Sequence, residues 1–414
     1  MLKFKRPHYA WLICLGGTLA IFASFGLCGN MVSFFYPNII TERGFSNTQT
    51  GLLTTTRQIF ILISLAIVNR LCARLGPRKL IALGGICLTI GYLGLAVAPN
   101  FWGCISCTAL MGLGYSFAGV VPVAAIFVRW FETDLSLAMG ISSAASGAAM
   151  LVAPPILTAI IKRWNLDVGF LFMSLLCLAL TVVIFLLLRN TPEECSLRPF
   201  HRHATGKNAD KPAREPEHPP YTNAFHNAVI LAVVFLIAVP VGVGVNNISL
   251  FLSSLKYSDM LVATAVSAVG LFMTVAKIVE AKMYDLVGGR LGNYILFALF
   301  LSGLGLLLLA PNHNVPLLFA ALLLYGFGLP LGSVATYQWG SDLYGSVGYA
   351  KAVQAFSITY NIGALLFSYV PGILADHMGG SYMPAFILFT GIAVVCLILL
   401  QWLYHHLDIG KRPR

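Results

Sequence analysis

Charge is scarce in this sequence. Only 10% of its 414 residues are Asp, Glu, Lys or Arg, and acids are rarer than bases, 15 against 26. An ordinary soluble domain is about 25% charged and about 45–50% apolar. Here 58% of residues are hydrophobic and the mean hydropathy is +0.83. A water-soluble globule of this length cannot cover its surface with so little hydrated material. The solvent for most of the chain is lipid. Catalytic signatures are missing too: no HExxH, GxSxG or GxxxxGK sequence occurs, so an enzyme, a bound cofactor and an ATP-driven engine are not expected. The nine cysteines (Cys14, Cys28, Cys72, Cys87, Cys104, Cys107, Cys177, Cys195 and Cys396) lie mostly in apolar runs and read as small buried hydrophobes, not a disulfide framework. Cys104 and Cys107 form a lone CxxC, without the further ligands a zinc site needs. No metal is expected. The first apolar run, Tyr9 to Pro37, is too long for a signal-peptide core and has no small-residue cleavage site behind it.

What the sequence has is helix-length apolar segments. A helix needs about 20 apolar residues to cross a bilayer, because lipid offers unpaired backbone groups no partner. Six such segments lie at 9–37, 48–71, 80–98, 102–128, 136–161 and 168–189, and six more at 227–253, 259–283, 291–310, 315–339, 350–375 and 383–404. Between them runs a polar stretch rich in Pro, His, Lys and Glu. The expected fold is an all-α membrane protein with twelve transmembrane helices: residues 1–189 form an N-terminal six-helix bundle, 190–226 a cytoplasmic linker and 227–414 a C-terminal six-helix bundle.

The net charge of +11 could belong to a nucleic-acid binder, but its distribution is a topology signal. With the N-terminus in the cytoplasm, the inner segments carry 20 Lys and Arg and the outer loops 4 (Arg43, Lys162, Arg163 and Lys256). The positive-inside rule then puts both termini in the cytoplasm. Arg57 and Lys277 are the two bases left inside spans.

The halves repeat. Gly76 and Gly288 sit in equivalent short loops, 212 residues apart, and Gly112–Gly114 matches Gly326–Gly328 at an offset of 214. Gly147 with Pro155 matches Gly363 with Pro371 at 216, and Gly26, Asn30, Ser33 and Phe35 match Gly242, Asn246, Ser249 and Phe251 at the same offset. Parallel six-helix repeats with a site between them near the midplane are a transporter architecture.

These features resemble the major facilitator superfamily along essentially the whole chain. That family's hallmark between spans two and three is Gly-x-Leu-x-Asp-Arg-x-Gly-Arg-Arg/Lys. This sequence has Asn69-Arg70-Leu71-Cys72-Ala73-Arg74-Leu75-Gly76-Pro77-Arg78-Lys79, lacking the first Gly and the Asp. The second half reads Ala281-Lys282-Met283-Tyr284-Asp285-Leu286-Val287-Gly288-Gly289-Arg290, keeping the Asp and the glycine. The resemblance implies a major facilitator fold of two pseudo-symmetric bundles. It makes Arg74, Gly76, Arg78, Asp285, Gly288 and Arg290 gating-loop residues, tying helices through charge and helix-dipole contacts. Arg129-Trp130-Phe131 followed by Ala138-Met139-Gly140-Ile141 is similar to the RWF…GLAxG pattern of the oxalate/formate antiporter and monocarboxylate transporter group. In that group a membrane-embedded Arg stands four residues before the hallmark; the equivalent residue here is Lys277. Span eleven, from Ala352 on, has no basic residue; Lys351 stands at its entrance.

Lys277 lies eight residues before Asp285, about 12 Å from the cytoplasmic end at 1.5 Å per residue. An ionised group at that depth costs at least about 2.5–3.5 kcal/mol and faces water or a partner. It is either a substrate cation, or a snorkelling Lys or static partner of Glu280 three residues on. Glu280 is correspondingly a resting partner or a protonatable coupling group. Arg57, about 14 Å into span two, either lines the cavity or snorkels outward. Asn30, Tyr36, Tyr115, Asn246, Asn247, Tyr325, Gln354, Ser357, Tyr360 and Asn361 are neutral polar residues at comparable depth. Each alone is as well explained by an interhelical hydrogen bond; together they imply a polar channel. Gln354, Ser357 and Asn361, spaced i, i+3, i+7, share one helix face.

The expectation is a gradient-driven secondary transporter of the inner (plasma) membrane, monomeric, that binds no nucleic acid. It moves a small organic anion, a monocarboxylate such as lactate, pyruvate or formate, with proton coupling or anion exchange. Two alternatives stay open. A drug or cation exporter of the same superfamily would rely on Glu280 as its acid, and a transporter-like sensor would bind ligand without flux.

Overall fold

The computed structural model describes residues 8–98, 100–131, 135–200 and 223–409. Backbone amides that must pair inside lipid leave helix as the natural form of the apolar segments, and among the described residues twelve helical segments are long and apolar enough to cross a membrane. In chain order they are Ala10–Arg43, Asn47–Leu75, Pro77–Val97, Phe101–Trp130, Ala138–Arg163, Leu166–Leu187, Ala224–Ser254, Asp259–Lys277, Leu286–Leu307, Val315–Tyr344, Ala355–His377 and Met383–His406, called spans one to twelve below. The chain is a multi-pass membrane protein.

Two places differ from the expected pattern of separate rods. Spans eight and nine lie in one helical stretch, Asp259–Leu307, interrupted only at Gly288 (φ 79°, ψ 165°). The backbone also stays helical from Val334 to Phe367, so the link between spans ten and eleven is helix where the sequence suggested a loop. That link contains no proline, and nothing in it forces the backbone out of helical geometry.

Spans one and seven are not regular helices. Span one turns into π-helix over Phe22–Asn30 and span seven over Val239–Val243, at equivalent points of the repeat. In span seven the cause is Pro240, which has no amide to give to the preceding turn. In span one it is a segment loosened by Gly26 and Gly29. Each wider turn has a carbonyl that a tyrosine from a neighbouring span serves: the Tyr92 hydroxyl donates to the Leu27 carbonyl at 2.7 Å, and Tyr325 donates to Pro240 at 3.4 Å.

The chain divides into two compact units. The first comprises Met1–Val32, Ile59–Ala149 and Ala159–Asp210; the second comprises Ser33–Gln58, Met150–Thr158 and Lys211–Arg414. In the first, Ile13, Cys14, Ile126, Phe127, Trp130 and Leu188 form the apolar core. Burying side chains of this size fully is worth about 1.5–3 kcal/mol each in an aqueous reference; inside lipid, close packing is the larger contribution. The Arg129-Trp130-Phe131 motif anchors the start of the linker. Trp130 Nε1 donates to the Arg189 carbonyl at 3.1 Å, the Phe200 amide donates to the Trp130 carbonyl at 2.8 Å, and the Phe131 and Phe200 rings lie 5.9 Å apart. In the second unit, Phe251 stacks on Phe386 at 4.1 Å and Phe300 on Tyr325 at 5.4 Å.

Candidate functional site

In the first unit the polar groups of the repeat collect at the π-helical turn of span one. Asn30 ends that turn and donates from Nδ2 to the Ser146 carbonyl of span five at 3.4 Å. Tyr115 of span four stacks on Phe25 at 4.3 Å and packs against Gly29. Ser24 donates to the Ala118 carbonyl at 3.2 Å. The turn is thus tied to three spans: Tyr92 of span three donates to its backbone, and its own Ser24 and Asn30 side chains donate to backbone carbonyls of spans four and five.

The second unit also gathers polar groups at the matching turn of span seven. Asn246 donates to the Gly242 carbonyl at 3.0 Å and Asn247 to the Val243 carbonyl at 2.8 Å. The buried Oδ1 of Asn246 accepts no hydrogen bond. The hydroxyl of Tyr325 (span ten) abuts Gly244, and that of Tyr360 (span eleven) fits between Gly242 and Gly332, at 2.9 and 2.8 Å from where their Cβ atoms would stand. Asn246, Tyr325 and Tyr360 are thus gathered about one turn. Asn361 donates to the Ser357 carbonyl of its own helix at 2.8 Å, and Ser357 is exposed. The side chain of Gln354 lies outside the described residues. Tyr36 is buried and shares a 2.8 Å hydrogen bond with Thr54.

The charged residues of the spans differ in burial. Arg57 is 1% exposed; it does not snorkel outward. Lys277 is part-buried on the helix leading to Gly288. Glu280 is 2% exposed; neither carboxyl oxygen accepts a hydrogen bond, and the group lies within electrostatic reach of Lys277. Residues three apart share a helix face, but the direction each side chain takes from its backbone decides whether they meet.

The gating-loop residues divide into backbone and side-chain roles. Gly76 (φ 81°, ψ 146°) and Gly288 (φ 79°, ψ 165°) hold the same conformation, one that is essentially confined to glycine. Arg78 donates from Nε and Nη2 to the Phe185 carbonyl at 3.1 and 2.7 Å, lies over the Phe185 ring, and its amide is bonded to Asn190 Oδ1. It therefore ties span three to span six without an acid. Arg74 is exposed. Arg290 stands 3.8 Å from Asp408. The Asp285 side chain lies outside the described residues.

Sequence reasoning missed a buried polar cluster in the second unit. Asp342 of span ten accepts from Gln338 at 2.7 Å and from the Tyr404 hydroxyl at 2.9 Å. Beside it, Asn293 Oδ1 accepts from Tyr284 at 2.8 Å and from Trp339 Nε1 at 2.9 Å. The signal available was an acid inside an apolar run, at Asp342.

Comparison with known proteins agrees with the twelve-span helical fold. The family described as Major Facilitator Superfamily matches residues 18–356. Among curated proteins, the MFS-type transporter opdF of Penicillium oxalicum is 24% identical over 178 residues, 41% of this chain and 42% of its own length. The MFS-type transporter hasB of Aspergillus fumigatus is 27% identical over 213 residues, 50% of this chain and 45% of its own. The chain thus spans less than half the length of these relatives. Solved structures match over nearly their full length. A D-xylose-proton symporter superposes with a TM-score of 0.73 at 13% identity, covering 95% of this chain and 98% of that one. The nucleoside transporter NupG does so with 0.72 at 13% identity, covering 95% and 99%. At such identities the likeness is one of fold.

Proposed function

The chain belongs to the major facilitator superfamily, and from that premise we propose that it is a secondary active transporter of a small organic anion, most simply a monocarboxylate of the lactate, pyruvate or formate class. The observation that carries this reading is Lys277, part-buried eleven residues ahead of the Gly288 break and one turn from a buried carboxyl that accepts no hydrogen bond. A base held at that depth is costly unless it meets water or an anion. Lys presents a compact point charge with three rotatable donors, suited to a carboxylate that arrives and leaves, where Arg would grip it with a two-pronged fork. The buried Arg57 supplies a second cation in the other half of the sequence. The gathered Asn246, Tyr325 and Tyr360, and Asn30 and Tyr115 at the span-one turn, supply neutral hydrogen-bonding groups for the rest of the cargo.

The movement proposed is alternating access, with the two six-span halves, 1–189 and 227–414 joined by 190–226, rocking about the weakened turns of spans one and seven. Glu280 is the coupling group: its buried oxygens accept no hydrogen bond and it lies within electrostatic reach of Lys277, so gaining or losing a proton changes the field at the proposed substrate cation. The orientation proposed is that of the Lys and Arg count, both termini in the cytoplasm. In proteoliposomes, Lys277→Met lowers uptake of labelled lactate about tenfold or more, the equivalent of roughly one charge-assisted hydrogen bond; uptake at the parental rate refutes the assignment. Glu280→Gln abolishes accumulation driven by a pH gradient and leaves counterflow exchange intact.

The buried Glu280 carboxyl, whose oxygens accept no hydrogen bond, also favours a second reading, export of apolar cations. Protection of cells against cationic dyes that vanishes with Glu280→Gln, together with lactate uptake indifferent to Lys277→Met, would select it.

A further inference from the structure

The start of span two is capped by a residue more than 300 positions away in the chain. The first helical amides of any helix lack intrahelical partners. Here Ser46 and Gln49 form a reciprocal capping box: the Gln49 amide donates to Ser46 Oγ at 3.1 Å and the Ser46 amide to Gln49 Oε1 at 2.9 Å. The box leaves the Asn47 and Thr48 amides unserved, and both turn to the carboxylate of Asp376 at the end of span eleven. Oδ1 accepts from the Asn47 amide at 3.1 Å and from its Nδ2 at 2.7 Å. Oδ2 accepts from the Thr48 amide at 2.9 Å and from its hydroxyl at 2.5 Å. Tyr382 completes the clamp by donating to Asn47 Oδ1 at 3.1 Å. An anion at a helix N-terminus also meets the positive end of the helix dipole.

Asp376 ends a longer seam. Four residues on from Asn47 is Gly51, whose missing Cβ would stand 3.0 Å from the Tyr369 Cα. Four residues back from Asp376 is Gly372, where a side chain would collide with the Asn47 carbonyl. Four further steps bring Thr55 and Ser368 together, their hydroxyls 2.6 Å apart. Each step along one helix is matched by a step back along the other, as in an antiparallel pair held close by small residues. The polar contacts close the seam at both ends and glycines close its middle.

We propose that Asp376 is a gating residue: by capping span two it latches the first and second halves of the chain together at the face opposite the chain's ends, and each transport cycle must break this cap. The inference rests on the alternating-access part of the proposed function and is independent of the cargo. It also gives the first half, whose hallmark loop lacks its acid, an acid-to-helix contact at the other membrane face.

The test is amide hydrogen exchange of the purified full chain, without substrate, so that its result does not depend on the identity of the anion. In Asp376→Asn, exchange should accelerate about tenfold, the loss of one charge-assisted contact, both at 47–51 and across the seam at 366–372. Residues 81–95 of span three should be unchanged. Acceleration confined to 47–48 makes Asp376 a cap without a latch and overturns the proposal, as does uniform acceleration that includes 81–95. Should Asp376→Asn not fold, Thr48→Ala removes one of the four donors and should move the same two segments by a smaller factor; exchange at 366–372 identical to the parent overturns the proposal equally.

Discussion

The two halves of the chain share their backbone devices and differ in their buried charge. Span one and span seven both widen into π-helix at matching positions, and Gly76 and Gly288 take the same glycine-restricted turn. The glycine of GLG in span four and that of GFG in span ten press on equivalent backbone: Gly114 on Gly84 and Gly328 on Phe300, two pairs each 214–216 residues apart. The ionisable groups do not repeat. The N-terminal half buries Arg57, whereas the C-terminal half places Lys277, Glu280 and Asp342 in its helices. Geometry that repeats serves the common task of packing and rocking six helices. Charge that does not repeat marks where the two bundles do different work.

The comparison breaks first at the glycine contacts. A Cβ on Gly328 would stand 2.6 Å from the Phe300 Cα, while one on Gly114 would meet the Gly84 carbonyl at 2.8 Å and the more yielding Leu88 side chain at 2.9 Å. Gly328→Ala should therefore cost about 3 kcal/mol and Gly114→Ala about 1–2 kcal/mol, the span of overpacking penalties, read as unequal falls in melting temperature in detergent. Equal falls would mean that the backbones at span ten shift as easily as a leucine rotates. Next come the turns. Gly76→Ala and Gly288→Ala each force a side chain into a region reserved for glycine, at about 1–3 kcal/mol. Their melting temperatures should drop by the same amount within error, since φ and ψ agree. A large difference would show that only one loop bears load in the resting protein.

Much of this was legible in the sequence because it is written in periods and spacings. Apolar length locates the spans, and an offset of glycines and prolines that drifts only from 212 to 216 residues locates the repeat, including the shared turn at Gly76 and Gly288. What stayed hidden depends on rotation about a helix axis or on distant partners. Depth along span two is countable, but whether Arg57 faces lipid or protein depends on which side of the helix it occupies, so burial could not be told from snorkelling. Glu280 is one turn from Lys277 in sequence, yet its carboxyl oxygens accept no hydrogen bond. Pro240 and the pair Gly26 and Gly29 mark where spans seven and one loosen, but which neighbouring tyrosines serve the freed carbonyls is not marked, and Tyr92 is not distinguished from other tyrosines by its sequence context. Asp376 reads as an acid at the end of a span; its capping of Asn47 and Thr48 exists only once the halves are folded.

The smallest effect expected sharpens the comparison most finely. Asn246 and Asn30 are repeat-equivalent amides beside the two widened turns. Asn30 spans to span five through a long 3.4 Å bond. Asn246 bonds its own helix and leaves a buried carbonyl oxygen unsatisfied. Removing a hydrogen bond of this kind costs about 0.5–1.5 kcal/mol, but removing an unsatisfied buried oxygen returns about 1–3 kcal/mol. Asn246→Ala should accordingly leave the melting temperature unchanged or slightly raised, while Asn30→Ala lowers it slightly. A buried amide kept at no gain in stability is kept for another purpose, and in uptake assays of the proposed anion Asn246→Ala should raise the KM with little change in the maximal rate. If Asn246→Ala instead destabilises the protein and leaves KM alone, its oxygen has a structural partner and the second half's turn is scaffold in the same sense as the first.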